Sequence, residues 1–458
     1  MKTTLIFLVI AMNALMVMNT TAQNLKRKGM LGAYFYPDTP KKELQSLQLD
    51  KMDGILVRDI IPNTTAESVG LLPNDFITKI NNTTITTYSD LAKVISTTSV
   101  GSEITFVVYR DKHSKTLKGI FKEKPKTEYN NATVLYDEFA FNDGFIRCFL
   151  KTPTKTTIKG TIYFIQGIGC FSMDNLPKNN PYYQLPEQLL DAGYQVFITE
   201  KAGMGDSKNS KHCSQMGFNE ELSVFQEGYK KLLSYKGVQP NNVIVFGHSL
   251  GGIIAPILAN QFKPKGVIVF GTGIISWKDY LLKAHEEQSL LMGVEKTIVE
   301  EQMKTYTPFV NELFENPERL EQFLKNEQYK DEFDYLGYEP NSGLFTAGRT
   351  LQYHRELSQW NLPKEWKKIQ CPVLSMYGES DLPALSDVDH KELVAIVNKE
   401  HPGKATYKFV PKTNHSMQEV GTMEEFVAMM NKPEYESFAA TKFNHKMVQD
   451  MITWCNAL

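Results

Sequence analysis

The string Gly247-His248-Ser249-Leu250-Gly251 constrains this chain most. It lies between an apolar strand pattern at residues 243–246 and a run of small and apolar residues, Gly252-Ile253-Ile254-Ala255. A chain that leaves a buried strand and enters a helix within so few residues must turn sharply. Glycines two positions either side of the serine let the two backbones pass closely, and the hydroxyl is left exposed above the sheet. The first turn of the helix then offers unpaired N–H groups beside it. The string alone is a weak signal. The strand before it and the helix after it make it a candidate nucleophile turn.

The surroundings fit such a turn. Strand patterns at 160–165, 195–199, 243–246, 266–270, 373–377 and 406–410 alternate with helical patterns at 185–192, 220–235 and 253–260. This alternation predicts an α/β fold, a mostly parallel, doubly wound sheet covered on both faces. Two further strands, 134–141 and 145–151, flank Asn142-Asp143-Gly144, a hairpin signal. A closing helix at 443–454 places Met447, Val448, Met451 and Ile452 on one face. Residues 276–362 break the alternation. Helical runs rich in Tyr, Phe, Leu and Glu replace the strands and predict a helical lid over the strand ends, which favours small substrates.

A serine nucleophile needs a base, and the base needs an orienting acid. On a turn of this kind the chain order is Ser, acid, His. His390, His401, His415 and His445 all follow a plausible acid. His415 stands in a loop just after the strand at 406–410, where site residues gather in open α/β sheets. It is the expected base. Asp381 follows the strand at 373–377 through Gly378 and is the expected acid, with Glu379, Asp387 and Asp389 as neighbours. An oxyanion needs two N–H donors. Leu250 supplies one as the residue after the nucleophile, and Ile168, in the loop Gln166-Gly167-Ile168-Gly169-Cys170, is the candidate for the other.

The first residues have another character. Lys2 precedes an almost wholly apolar run from Leu5 to Met18, and Thr20-Thr21-Ala22 follows. The run is short for a bilayer span, so residues 1–22 read as a cleaved secretory signal, with a retained anchor as the alternative. The expected location is periplasmic or extracellular, with no membrane span after cleavage. The net charge of −2 gives no basic field for nucleic acid. Five cysteines without a CxxC pair give a zinc site no support, and their odd number leaves at least one thiol unpaired. No metal or organic cofactor is implied.

Residues 26–122 form a separate block of short strands, at 33–36, 54–60, 76–80 and 103–109, with helical patterns at 66–69 and 89–97. Gly29-Met30-Leu31-Gly32-Ala33, Asp59-Ile60-Ile61-Pro62, Gly70-Leu71-Leu72-Pro73-Asn74-Asp75 and Ile77-Thr78-Lys79-Ile80-Asn81 resemble the corresponding strings of PDZ domains, above all bacterial, protease-associated ones. Asn74 stands where glycine is common there. The resemblance implies a mainly-β domain that binds a protein C-terminal peptide by strand addition, with backbone N–H groups of Met30, Leu31, Gly32 and Ala33 on the carboxylate. A spacer that binds nothing is the alternative. Residues 123–131 are charged and polar and read as a linker.

From about residue 132 to 458 the chain resembles α/β-hydrolases of the bacterial esterase and serine aminopeptidase-like group. Beyond the serine turn, the resemblance rests on Glu200-Lys201-Ala202-Gly203-Met204-Gly205-Asp206-Ser207, which has Ala-Gly where the group usually has Arg-Gly. It rests also on Gly348-Arg349, Leu357, Trp366 and Cys371-Pro372-Val373-Leu374. It implies a serine hydrolase acting on carboxylic esters or related acyl compounds. Cys170 and Cys213 then fall in two loops flanking the site and either bridge or remain separate thiols. Three readings follow: an esterase on small acyl esters, a peptidase on short peptides guided by the PDZ-like block, and an inactive peptide-binding scaffold.

Overall fold

A computed structural model describes residues 23–36, 44–45, 49, 53–208 and 211–458. The expected signal segment, residues 1–22, lies outside them.

The first block folds around an antiparallel sheet. Its strands are β1 (Ala33–Phe35), β2 (Ile55–Ile60), β3 (Phe76–Ile80), β4 (Thr83–Thr84), β5 (Glu103–Arg110) and β6 (His113–Ile120). They run in the order β1-β2-β3-β5-β6, with β4 paired to β3. Leu31, Val57, Ile77, Phe106 and Val108 form its core with the helices Thr65–Val69 and Tyr88–Thr97. A capping box between Thr87 and Asp90 starts the second helix. Strand β6 was not expected. Its sequence, HSKTLKGI, is polar because it lies at the sheet edge and buries no residue fully.

The rest of the chain builds an eight-stranded sheet. Its strands are β7 (Ala132–Phe141), β8 (Gly144–Pro153), β9 (Gly160–Ile165), β10 (Tyr194–Thr199), β11 (Val243–His248), β12 (Gly266–Phe270), β13 (Val373–Ser380) and β14 (Ala405–Asn414). The order is β14-β13-β12-β11-β9-β10-β8-β7. Strands β9 to β14 pair in parallel, while β7 and β8 form the expected hairpin and join β10 antiparallel. Every residue of β9, β11 and β12 is buried, as a sheet covered on both faces requires. One face packs on Tyr229, Ile254, Leu258 and Trp366, the other on Leu185, Leu189, Met447 and Met451.

Strand β10 follows β9 on one side, and β11 returns to its other side. The winding therefore reverses between β9 and β11, and the loops leaving them diverge to open a crevice at their carboxyl ends. Between β12 and β13 come helices and two isolated bridges but no strand of the sheet. The helices Trp277–Leu291 and Lys296–Glu315 share a core of their own, with Tyr306, Phe309, Phe333 and Phe345.

Residues 123–131 are not a free linker. Thr127, Tyr129 and Asn131 are buried. Tyr129 stacks on Tyr183 at 4.6 Å, and the Thr127 hydroxyl donates to Asp174. Their partners lie far along the chain, so polarity alone misplaced them. The segment at 23–28 is also tied to the larger sheet. Arg27 Nη1 lies 2.6 Å from both Asp174 Oδ2 and Asp206 Oδ2, with both carboxylates buried. Removing one partner from such a buried ion set costs about 3–5 kcal/mol. We expect Arg27→Met to raise amide exchange at residues 23–28 and 172–175 while the sheet cores stay protected. Unchanged exchange in those segments would show that the ion set does not hold them.

Candidate active site

Ser249 sits between β11 and the helix Leu250–Phe262 with φ 56° and ψ −123°. This backbone conformation is costly for a residue with a side chain and is kept because its surroundings leave no alternative. The flanking glycines show why. A Cβ on Gly247 would stand 2.2 Å from the Gly251 carbonyl oxygen, and one on Gly251 would stand 2.3 Å from the Ile165 carbonyl oxygen. The helix thus lies directly on the backbone of β9 and β11. Ser249 N–H donates to Phe270 O at 2.9 Å, which joins the turn to β12.

The structure places Asp381 just past β13 and His415 just past β14. His415 Nδ1 is 2.7 Å from Asp381 Oδ1. With Nδ1–H donating to the carboxylate, Nε2 is the ring nitrogen with a free lone pair. Asp381 is completely buried. Burial favours its neutral form, but the nearby imidazole and a bond from Ala384 N–H outweigh it and hold the carboxyl below its usual range. Ser249, Leu250, Ile168 and His415 line one cavity of about 280 Å³.

The alternative histidines and acids are elsewhere. His390 is buried, 2.7 Å from Ser375 Oγ. His401 ends the helix Val388–Glu400, and His445 pairs with Gln188. Glu379 accepts from Lys412 N–H, Asp387 pairs with Lys391, and Asp389 accepts from Ile274 N–H.

The sequence did not show what several residues around the site do. Gly271 lets Asp381 and His415 approach, since a Cβ there would meet Asp381 Oδ2 at 2.5 Å and His415 Nδ1 at 2.9 Å. His248 bonds the His415 carbonyl oxygen through Nε2 at 2.8 Å, and its Nδ1 pairs with the Tyr182 hydroxyl. Burial and the neighbouring His415 push His248 down to about 3, so it is neutral at working pH. Lys201, Glu221 and Arg349 form a buried charged group behind the Gly167–Ile168 loop. Burial, with Glu221 opposing it, brings Lys201 down to about 7.

Cys170 and Cys213 form a disulfide with Cα atoms 6.0 Å apart, and Cys148, Cys371 and Cys455 are free. In the first block, Leu31 O accepts from Ala66 N–H and Gly32 O from Ile61 N–H. Ala33 pairs with Ile60. Met30 departs from expectation: its N–H donates to Lys122 O at 3.0 Å and is not open to a peptide carboxylate. No helix among the described residues is long and apolar enough to cross a membrane.

Residues 178–419 match the family described as serine aminopeptidase, S33, and residues 29–118 match the PDZ domain. The chain belongs to the serine aminopeptidase S33 family. It is a hydrolase of the α/β-hydrolase fold preceded by a PDZ domain. Periplasmic serine endoprotease DegP of Escherichia coli K12 is 28% identical over 100 residues, 21% of either chain. A probable periplasmic serine protease, do/HhoA-like, of Haemophilus influenzae is 26% identical over 91 residues, 20% of either chain. The chain spans about a fifth of the length of these relatives. Among solved structures, a soluble variant of Saccharomyces cerevisiae monoglyceride lipase is 16% identical with a TM-score of 0.42, covering 73% of this chain and 97% of its own. A carboxyl esterase from Bacillus coagulans is 15% identical with a TM-score of 0.44, covering 71% and 98%.

The buried histidines make the protein's stability depend on acid. His248 lies near 3, and burial pulls His354 and His390 down to about 4. Below their ordinary 6.5 the unfolded chain takes up protons that the folded chain refuses. Each therefore removes stability as pH falls from 6.5, by about 1.4 kcal/mol per pH unit. Glu200, which burial pushes up to about 7, acts in the opposite sense between 7 and 4.5. The lowered histidines outnumber it, so stability is expected to fall as pH drops from 6 to 5. Urea titrations at pH 7, 6 and 5 check this; a midpoint that holds or rises on acidification contradicts it.

Proposed function

We propose that this S33 hydrolase is an exported serine esterase that cleaves small carboxylic esters through an acyl-enzyme. Ser249 Oγ attacks the ester carbonyl and passes its proton to His415 Nε2. Asp381 stays ionised and stabilises the imidazolium that forms. The oxyanion is received by the N–H groups of Ile168 and Leu250. Collapse of the tetrahedral centre expels the alcohol, which takes the proton from His415. Water then repeats the sequence on the acyl-enzyme and releases the acid.

The observation that carries the ester reading is the chemistry of the cavity. Beside Ser249 and His415 its walls are Leu250, Ile253, Ile275, Trp277, Tyr280 and similar neutral residues, with no carboxylate among them. A substrate with a free α-ammonium would leave that charge unpaired in an apolar site, at a cost of several kcal/mol. An acyl chain meets no such penalty.

In the domain arrangement we propose, residues 26–122 form the PDZ domain, 132–458 the hydrolase, and 276–362 a lid over the crevice. Export is supported by the apolar run near Lys2 and the Cys170–Cys213 bridge. A second reading, a peptidase for short peptides, is favoured by the PDZ domain, whose strand β1 pairs with β2 alone among the described strands. On that reading Leu31, Gly32 and Ala33 would face a peptide end.

A fluorophosphonate probe is expected to label Ser249 and to leave Ser249→Ala unlabelled. That variant is expected to lose at least about 10⁴-fold in kcat. p-Nitrophenyl acyl esters are expected to turn over at least a hundredfold faster in kcat/KM than aminoacyl p-nitroanilides. Faster turnover of the anilides would replace the esterase with the peptidase. A folded protein that resists the probe would overturn both.

A further inference from the structure

A charged side chain buried in a protein interior must be paired, and each of its donors must find an acceptor. Lys201, Glu221 and Arg349 meet this condition in an unusual place. Their side chains are at most 2% exposed. Lys201 Nζ is 3.0 Å from Glu221 Oε1, and Arg349 Nη2 is 2.6 Å from Glu221 Oε2. The Tyr353 hydroxyl donates to Glu221 Oε1 at 3.1 Å. The other hydrogen bonds that the two cations make go to backbone carbonyls. Lys201 Nζ donates to Gly167 O at 2.7 Å and to Ile168 O at 3.0 Å. Arg349 donates to Ile168 O from Nε at 3.0 Å and from Nη2 at 2.5 Å, and its Nη1 donates to Cys213 O at 2.6 Å.

These bonds orient two successive peptide groups. None of the peptide bonds among the described residues is cis, and in a trans peptide the N–H points opposite to the C=O. With Gly167 O and Ile168 O both drawn toward Lys201, the N–H groups of Ile168 and Gly169 turn the other way. Ser249 lies against the same loop: a Cβ on Gly167 would stand 3.2 Å from Ser249 Cβ.

We propose that Lys201 and Arg349, joined through Glu221, are positioning residues that fix the Ile168 and Gly169 peptides and so aim the Ile168 N–H at the oxyanion it receives together with the Leu250 N–H. This rests on the serine-hydrolase reading above. Neither side chain touches the substrate; each acts through the carbonyl it holds. A donor fixed before the reaction needs no reorganisation when the oxyanion forms, so its effect falls on the chemical step. Arg349 comes from the last part of the helical insertion, just before the helix Leu351–Ser358. The insertion thereby takes part in setting the hole as well as covering the cavity.

The test uses the full chain, with Lys201→Met and Arg349→Lys as variants. Arg349→Lys keeps a buried cation for Glu221 but loses the forked bonds to Ile168 O, so it carries the test if Lys201→Met does not fold. Each folded variant is expected to lose at least tenfold in kcat on a p-nitrophenyl ester, with KM within threefold of wild type. Affinity for an alkylboronic acid, which forms a tetrahedral adduct, is expected to fall by the same factor, while inhibition by the matching alcohol stays unchanged. A purely structural role would lower the unfolding temperature and leave this split absent. A folded variant with kcat within twofold of wild type, or with its loss wholly in KM, overturns the proposal. Wild-type labelling by fluorophosphonate is the separate control: if it fails, the hydrolase reading falls; if it succeeds while the variants turn over normally, only the clamp falls.

Discussion

The structure depends on one backbone contact. The helix Leu250–Phe262 starts so close to β9 and β11 that neither Gly247 nor Gly251 has room for a methyl group. That closeness holds Ser249 in its strained conformation and points its backbone into the bond with Phe270 O. It also sets the level at which every other part of the site must arrive. Ile168 must come from the end of β9, Gly271 from β12, Asp381 from β13 and His415 from β14. Five neighbouring parallel strands end at one edge, and the reversal of winding between β9 and β11 opens the crevice there.

Around this contact the protein sorts its buried titratable groups by charge. Asp381 remains ionised because His415 and Ala384 N–H outweigh the cost of burial. His248 lies only 4.8 Å from the His415 ring, centroid to centroid, yet stays neutral. A second imidazolium there would repel any positive charge on the His415 ring. Its two hydrogen bonds use the neutral ring fully, one nitrogen on the Tyr182 hydroxyl and the other on the His415 carbonyl. The residue between glycine and serine in the turn therefore helps to place the His415 loop while staying uncharged.

What was legible in the sequence follows the same physics. Ser249 and Asp381 each stand directly after a buried strand and His415 after a partly exposed edge strand, so a local strand pattern and a turn mark them. The inner parallel strands were legible because their burial on both faces makes them continuous apolar runs. Strand β6 was missed because an edge strand has no such run. The helices Met423–Met430 and Tyr435–Ala439, beyond His415, were missed too; they form a small cluster of their own with Leu382 and Val420. Gly271, and the roles of His248, Lys201 and Arg349, which stood in the sequence only as parts of family-like strings, were illegible for a different reason. Their meaning lies in contacts with distant chain segments, and Arg349 is 181 residues from the carbonyl it holds. Polar residues in an ordinary loop look the same whether or not a partner waits across the fold.

The loop that follows β9 shows how the three parts of the chain are joined. Its near end, at Gly167 and Ile168, is held by Lys201 from the sheet and by Arg349 from the helical insertion. Its middle is bridged through Cys170 to Cys213. Its far end, at Asp174, is gripped by Arg27 and by Lys124, the residues that enter and leave the PDZ domain. Met30 N–H is bonded to Lys122 O, so those two approaches also brace each other. A loop of glycines would otherwise sample many conformations, and fixing each residue costs about 1–2 kcal/mol of backbone entropy. Here that cost is met by buried ion pairs whose partners come from the PDZ boundary, the sheet and the insertion. The loop beside Ser249 is thus tied at one end to the sheet and the insertion and at the other to the PDZ boundary.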